Sequence, residues 1–262
     1  MELSKTTLNE ELGTGEACEL IIDSFPRRGE ENMRIDEALL NYAVEHRRNV
    51  LRIYRWSEPT VTTGYFQQSG PSSPALTALP TVQRLTGGGA ILHDQEVTYS
   101  CVVSADHPLH RNPVQIYAIM HRAIIQLLGE CGVQSRMRGD PIRAADSEGK
   151  IQGATEPFLC FFREDPHDII VDRSIADRSV IDGEIHPAAP CKIVGSAQRR
   201  RKGAILQHGS ILLAASRHAP EIPGIRDLCS GFRETEFLQN LPQQLIQYLG
   251  EARTFQGNPP PS

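Results

Sequence analysis

The sequence predicts an α+β fold, with mixed, mostly antiparallel sheets flanked by helices. Three observations carry that reading. Strand-like runs cluster between a few helical stretches without regular β–α–β alternation, the pattern of antiparallel rather than doubly wound sheets. Two stretches, 32–47 and 114–131, carry apolar residues at helical spacing. No internal repeat or linker divides the 262 residues, a length that one large domain can fill.

Taken in order, residues 1–30 are a polar, proline-punctuated lead-in with one strand at Glu19–Ser24. The helix Asn32–Arg47 follows, with Met33, Leu39, Leu40, Ala43 and Val44 on one side and Asp36 and Glu37 near its start. Leu51–Trp56 alternates as a strand, Val61–Phe66 follows after a Glu-Pro turn, and Gly70–Pro80 is a loop. Thr81–Leu85, Ala90–His93 and Glu96–Ser104 are three further strands. Asn112-Pro113 puts a capping residue before a proline at the first helical position, opening a helix from Val114 to Cys131 that ends at Gly132. Val133–Arg138, Phe158–Phe162, Asp168–Val171, Lys192–Ser196 and Ala204–Leu213 read as strands. Beyond Ser216 come short helices broken by Pro220, Pro223 and Pro242. The single domain spans 31–250, and 251–262 is a flexible tail.

Composition narrows the function. With 39% hydrophobic and 23% charged residues the chain is an ordinary soluble one. A net charge of −5 gives no reason to expect nucleic acid or a membrane surface as partner, and the basic residues are local, notably Arg199, Arg200, Arg201 and Lys202. No run of eighteen apolar residues offers a bilayer span, and the opening Met-Glu-Leu-Ser-Lys lacks the apolar core of a signal peptide. Six cysteines without a Cys-x-x-Cys pair argue against a zinc knuckle, a redox pair or a disulfide framework. They fit a reducing cytoplasm, and no metal site is expected.

Chemistry concentrates in two segments. Lys192-Ile-Val-Gly-Ser-Ala-Gln198 reads as a strand that aims one ammonium into a pocket, with Gly195 where backbone passes close to something. Arg84-Leu-Thr-Gly-Gly-Gly-Ala-Ile-Leu-His-Asp94 sets three glycines between strand ends, which suits a sharp turn that leaves bare amides for a ligand. It is neither a P-loop nor a dinucleotide fingerprint. Between them lies Cys160, in the apolar run Pro157-Phe-Leu-Cys-Phe-Phe-Arg163. Each piece alone also has a plain structural reading: a hairpin with a solvated basic tip, a permissive turn, a buried thiol, histidines (His93, His208) that merely satisfy neighbours.

Together these segments, closed by Leu206-Gln-His-Gly-Ser210, resemble the two signature segments of the lipoate ligase and octanoyltransferase family. Asn32-Met-Arg-Ile-Asp-Glu-Ala-Leu-Leu40 and the stretch from Arg52 to Gln67 resemble its opening helix and first strands, so the likeness runs in order over about 30–215. It implies the catalytic-domain fold shared with biotin ligases, cytoplasmic protein lipoylation, and a tunnel for a medium-chain acyl group. The substrate-binding residues it implies are Arg84, Gly87, Gly88, Gly89, Gly195, Ser196, Ala197 and His208.

The family has two branches. One spends ATP with Mg to make lipoyl-adenylate, usually with an accessory C-terminal domain. The other needs no cofactor: it takes an octanoyl group from a carrier thioester such as octanoyl-acyl carrier protein, holds it on a cysteine, and passes it to a lysine of a lipoyl-domain protein (glycine cleavage H protein or a dehydrogenase E2). Cys160 stands where the cysteine branch's nucleophile is expected, the remaining fifty-odd residues are short for an accessory domain, and Gln95-Glu96 replaces the Gly-Asn usual in ligases. The octanoyltransferase reading is therefore expected, with Cys160, Lys192 and His93 catalytic. The ATP-dependent ligase is the alternative, and a non-catalytic binder of the same partners is the third. An insertion of about twenty residues between Val171 and Lys192 departs from the family and makes Cys191 a rival nucleophile.

A free cysteine of pKa about 8.5 is only ~3% thiolate at pH 7. A two-unit drop would give about a 25-fold gain in thiolate and an ~8-fold loss of intrinsic nucleophilicity. The net is about threefold, so the lysine's larger value should lie in orienting the acyl carbonyl and stabilising the oxyanion, where one donor is worth about 3 kcal/mol. An acceptor lysine of pKa about 10.4 is ~0.04% neutral at pH 7, so the site must desolvate it or supply a base, for which His93 is one candidate and Lys192 itself another.

Overall fold

Pairing of distant strands builds the molecule. The computed structural model describes residues 17–67, 70, 73–140, 158–172, 179–181, 184–186 and 189–254. Its main sheet has eight strands in the order β13-β1-β2-β6-β12-β11-β8-β7. These are β1 (Ala17–Ile22), β2 (Asn49–Tyr54), β6 (Glu96–Val103), β7 (Arg136–Met137), β8 (Ile169–Val171), β11 (Cys191–Arg201), β12 (Ala204–Leu212) and β13 (Glu251–Thr254). Only β1 pairs in parallel, with β2 on one side and β13 on the other. A second sheet, β4-β3-β5, comprises β3 (Thr60–Thr63), β4 (Thr81–Gln83) and β5 (Ile91–His93). Mixed, mostly antiparallel sheets flanked by helices are what the sequence predicted.

Helices cover both faces of the main sheet. Helix α1 (Gly29–His46) lays Ile35, Leu39, Leu40 and Ala43 against Val50, Val102, Ala204 and Leu206. On the other face, α3 (Pro113–Glu130) buries Ile116, Met120, Ala123, Ile124, Leu127 and Leu128, three and four residues apart. Helix α5 (Glu234–Ile246) packs Phe237, Leu241 and Leu245 into the same core, which continues through Leu51, Ile53, Val97, Val103, Ile205 and Ile211 of the strands. Two single turns, α2 (Pro74–Thr77) and α4 (Ile225–Leu228), complete the helices among the described residues. None of these helices is long and apolar enough to cross a membrane.

Several local expectations change. Pro242 does not break its helix: α5 runs through it, because the burial of Phe237, Leu241 and Leu245 holds the segment together despite the lost backbone bond. Residues 251–254, expected in the tail, instead form the edge strand β13 beside β1; the rest of the tail lies outside the described residues, as do residues 1–16 of the lead-in. Within the insertion, β9 (Ser179–Ile181) and β10 (Glu184–His186) form a two-stranded antiparallel ladder.

Among the described residues, the segment expected as a strand at 158–162 pairs with another strand only through a bridge from Leu159 to Ala90, with Cys160 N donating to Ala90 O at 2.6 Å. The chain then coils into a 3-10 turn over Cys160–Phe162. An apolar, aromatic-rich run reads as a strand by propensity, but strand character requires a partner edge. Here β5 diverges after residue 90 to pair with β3 instead.

Candidate active site

Lys192 enters β11 at an irregularity. Its neighbour on β8 is Ile170, but Val194 already faces Ile169, so one residue is extra on β11. The bulge breaks the two-residue alternation of the strand, and Lys192 and Gly195 share a face. A side chain on Gly195 would meet Lys192 Cε at 2.7 Å and Nζ at 3.0 Å. The glycine of Lys-Ile-Val-Gly is therefore the floor across which the lysine lies.

That lysine is buried, and its three N–H directions are accounted for. Nζ lies 2.8 Å from Asp168 Oδ1, 3.2 Å from the Cys160 carbonyl oxygen and 3.6 Å from Cys160 Sγ. Asp168 is 3% exposed, and its other oxygen accepts from the Asp165 amide at 2.9 Å. Burial pushes the Asp168 carboxyl up, while the Lys192 charge pulls it back. The Cys160 thiol is half-buried, at the start of its 3-10 turn. Asp168 is the member of this group that sequence reading missed; it registered only as the first residue of a strand, and nothing local marks an aspartate that meets a lysine 24 positions on.

The glycine loop adjoins this group through the Ala90 bridge. Gly88 has φ +90°, a backbone conformation that favours glycine. Arg84 shapes the loop. Its Nη2 donates to the carbonyls of Gly87 and Gly89, both at 2.7 Å, Nη1 to Thr62 and Nε to Thr86. Burial pushes this guanidinium down to about 10, opposed by the field of Cys160. Every donor of Arg84 is spent on protein. With the carbonyls turned to Arg84, the amides of Gly87, Gly88 and Gly89 donate to no group among the described residues.

His208 continues this polar chain inward. Its Nε2 meets Thr86 Oγ1 at 2.7 Å and its Nδ1 meets Asp36 Oδ2 at 3.1 Å. Asp36 in turn holds Arg52 at 3.0 Å and Tyr54 at 3.0 Å. Burial pushes the Asp36 carboxyl up, but the His208 hydrogen bond and the Arg52 charge outweigh it and hold the group below its usual range.

The structure thus joins Cys160 with Lys192 and Gly195, and places the glycine loop beside them. Ala197 pairs with His208 across β11 and β12, on the face of the sheet that carries the loop. Ser196 does not join them: it points to the opposite face, where its Oγ meets His121 Nε2 at 2.6 Å and Tyr99 OH at 2.8 Å. Nor is His93 brought to the thiol. Its Nε2 meets Thr62 and its Nδ1 meets Glu96, both at 2.8 Å, and its ring stacks on Trp56; burial pushes its pKa down. Cys191 precedes Lys192 on the strand, and consecutive residues point to opposite faces.

A small crevice of about 20 Å³ is lined by Leu92, Leu159, Phe161, Leu212, Ala219 and Ile222 together with the polar Asp94, Gln95 and Ser216, and Cys160 is not among its lining residues. Leu159 and Phe161 flank Cys160 in the chain. None of the three loop glycines is in its lining.

Known proteins share both sequence and architecture. The chain is 34% identical over 192 residues to an octanoyltransferase LipM of Kyrpidia tusciae, covering 70% of this chain and 61% of that protein. It is 36% identical over 191 residues to the LipM of Moorella thermoacetica, covering 70% and 60%. The chain thus spans about three-fifths of the length of these relatives. Among solved structures, an archaeal bi-partite lipoate protein ligase from Thermoplasma acidophilum superposes with TM-score 0.58 at 19% identity, over 92% of this chain and 87% of the other. A lipoate-protein ligase A bound with ATP gives 0.59 at 20%, over 92% and 88%. These two establish the fold. Residues 28–220, which hold the whole thiol–lysine–glycine arrangement, match the lipoyl protein ligase A/B catalytic domain, and the chain belongs to that family.

Proposed function

We propose that the protein is an acyltransferase of protein lipoylation that moves an octanoyl group from a carrier thioester, through Cys160, to a lysine of a lipoyl-domain protein. One observation carries the reading: the Cys160 sulfur lies 3.6 Å from the Lys192 ammonium. The octanoyltransferase name of the relatives points the same way.

In the first step Cys160 Sγ attacks the thioester carbon; its new carbon–sulfur bond forms as the carrier's carbon–sulfur bond breaks, and the proton lost by the Cys160 thiol ends on the departing carrier thiolate. In the second, the acceptor amine attacks the acyl-cysteine. A carbon–nitrogen bond forms, the Cys160 thiolate departs, and a proton from the amine returns it to the thiol. Lys192 sits beside the sulfur in both steps and stabilises the thiolate each time it appears. Asp168 acts as a positioning residue, fixing the ammonium over Gly195. The amides of Gly87, Gly88 and Gly89, which have no acceptor among the described residues, suit the tetrahedral oxyanion, for which one such donor is worth about 3 kcal/mol.

The second reading, an ATP-dependent lipoate ligase, draws on the fold shared with a ligase that binds ATP. There Lys192 would meet the acyl-adenylate phosphate. Incubation with octanoyl-acyl carrier protein, with and without ATP and Mg, separates the two. A hydroxylamine-labile octanoyl adduct on Cys160 without ATP is expected. Lipoylation that requires ATP and persists in Cys160→Ser would overturn it.

A further inference from the structure

Three large apolar side chains stand in solvent close to the site: Phe66 is 78% exposed, Phe162 48% and Tyr65 43%. They belong to two segments that bracket the glycine loop. The turn carrying Tyr65 and Phe66 is held by Tyr65 N donating to Thr86 O at 2.8 Å, and Gly64 packs directly on Gly88. Opposite it, Arg163 packs on Gly89, one residue beyond Phe162. Gln67 Nε2 ties the turn to Phe158 O at 3.3 Å. Tyr65 and Phe66 meet edge to face, with ring centroids 5.0 Å apart.

One cation completes this rim. Of the basic run at the hairpin tip, Arg200 bonds to His110 O and Arg201 to Glu37 and Asn41. Arg199 instead lies over the Tyr65 ring at 4.7 Å. Its buried Nε has no hydrogen-bond partner, and no carboxylate among the described residues is within ion-pair distance of it. An arginine with unspent donors on an exposed aromatic platform is the composition of an interface hot spot, and its charge calls for an acidic partner.

We infer that Tyr65, Phe66, Phe162 and Arg199 form the docking surface for the acceptor protein, a small acidic domain that presents the lysine to be acylated. This rests on the acyl-cysteine reading above. Reach decides between acceptor and donor. A lysine side chain spans only about 6 Å from Cα to Nζ, so the body of the acceptor must sit on the residues around the thiol. Phe162 is two residues from Cys160. A donor whose acyl group rides on a long flexible arm needs no contact with this rim.

The test separates the half-reactions. Wild type, Phe66→Ala, Phe162→Ala and Arg199→Glu are acylated with octanoyl-acyl carrier protein, then mixed with an E2 lipoyl domain or with a short lysine peptide. Phe66→Ala and Arg199→Glu should each raise the KM for the lipoyl domain about tenfold, and added salt should reproduce much of the Arg199→Glu effect in wild type. Acylation by the carrier, transfer to the peptide and the thermal midpoint should stay as in wild type. If carrier acylation slows instead, or neither half-reaction changes, this inference alone is overturned. If wild type forms no octanoyl-cysteine, the acyl-cysteine reading falls and this inference with it.

Discussion

The two faces of the main sheet are both buried and are built from different material. The face under α3 and α5 is mostly hydrocarbon: Leu51, Ile53, Val97, Ile205 and Ile211 meet Ile116, Ile124, Leu128 and Phe237, and the Tyr99–Ser196–His121 cluster is its main polar patch. The face toward α1 and the small sheet buries Arg52, Glu96, Thr98, Ser100, His208 and Ser210; Arg52 and His208 bond to Asp36, His208 also to Thr86, and Glu96 to His93, Thr98 and Ser210. Burying paired ions stabilises a fold less than burying hydrocarbon of the same volume, and losing one partner is severe. The polar face is not the cheapest way to hold a sheet together. It ends at Arg84, and through Arg84 it fixes the carbonyls of Gly87 and Gly89. One face is mostly hydrocarbon packing, and the other holds the glycine loop in one form.

That contrast can be tested from its largest consequence downward. Cys160→Ala should cut transfer at least about 10³-fold, roughly 4 kcal/mol at 1.36 per decade, while leaving the thermal midpoint unchanged; steady-state rates and calorimetry read the two. Asp36→Ala should destabilise the fold by about 3–5 kcal/mol, since the buried Arg52, Tyr54 and His208 each lose a hydrogen bond to a carboxylate, although Arg52 keeps its pair with Asp23. It should also lower the activity of the molecules that remain folded, by freeing His208 and the loop behind it. Ile124→Ala on the opposite face should cost about 2–4 kcal/mol in denaturant titration, with kcat per folded molecule retained. Equal effects of these two changes on kcat would abolish the distinction between the faces.

Acid should find the hydrocarbon face through the buried imidazole of His121. Burial pushes His121 down to about 4, against an ordinary value near 6.5. The unfolded chain takes up this proton first, so stability is whole above about pH 6.5 and declines toward pH 4, by up to about 1.4 kcal/mol per pH unit. His107, also pushed down to about 4, acts in the same window. His121→Gln should therefore reduce the slope of stability against pH between 6.5 and 4 without abolishing it. The smallest effect concerns Asp168→Asn, which weakens the clamp on Lys192 and should slow transfer about 10- to 100-fold, the size of a lost charged hydrogen bond of 1.5–3 kcal/mol. Asp168→Glu should restore part of it, with the pH profile of the rate displaced in Asn alone.

Much of this was legible along the chain because the signal was local. The spacing of Ile116, Met120, Ile124 and Leu127 announces α3, and the Asn112-Pro113 pair announces its start. The two glycine-bearing segments stood out for the same local reason, whereas Cys160 reads by itself as a buried structural thiol and was singled out only by the family resemblance. Pro242 and Cys160 mark where local reading fails. A proline inside a helix is tolerated when Phe237 and Leu241 are buried against another helix, and an apolar run is a strand only if an edge is left to receive it.

What the sequence determined by itself, then, is the set of elements, the α+β class and the inventory of reactive groups, because helical and strand periodicities are written in neighbouring residues. Tertiary structure decided which groups meet. A single extra residue in β11 turned Lys192 and Gly195 to one face and Ser196 to the other, brought Asp168 to the lysine, and left His93 to Glu96 and Thr62. Strand register and bulges are set by packing across the whole sheet, and side-chain orientation follows from them.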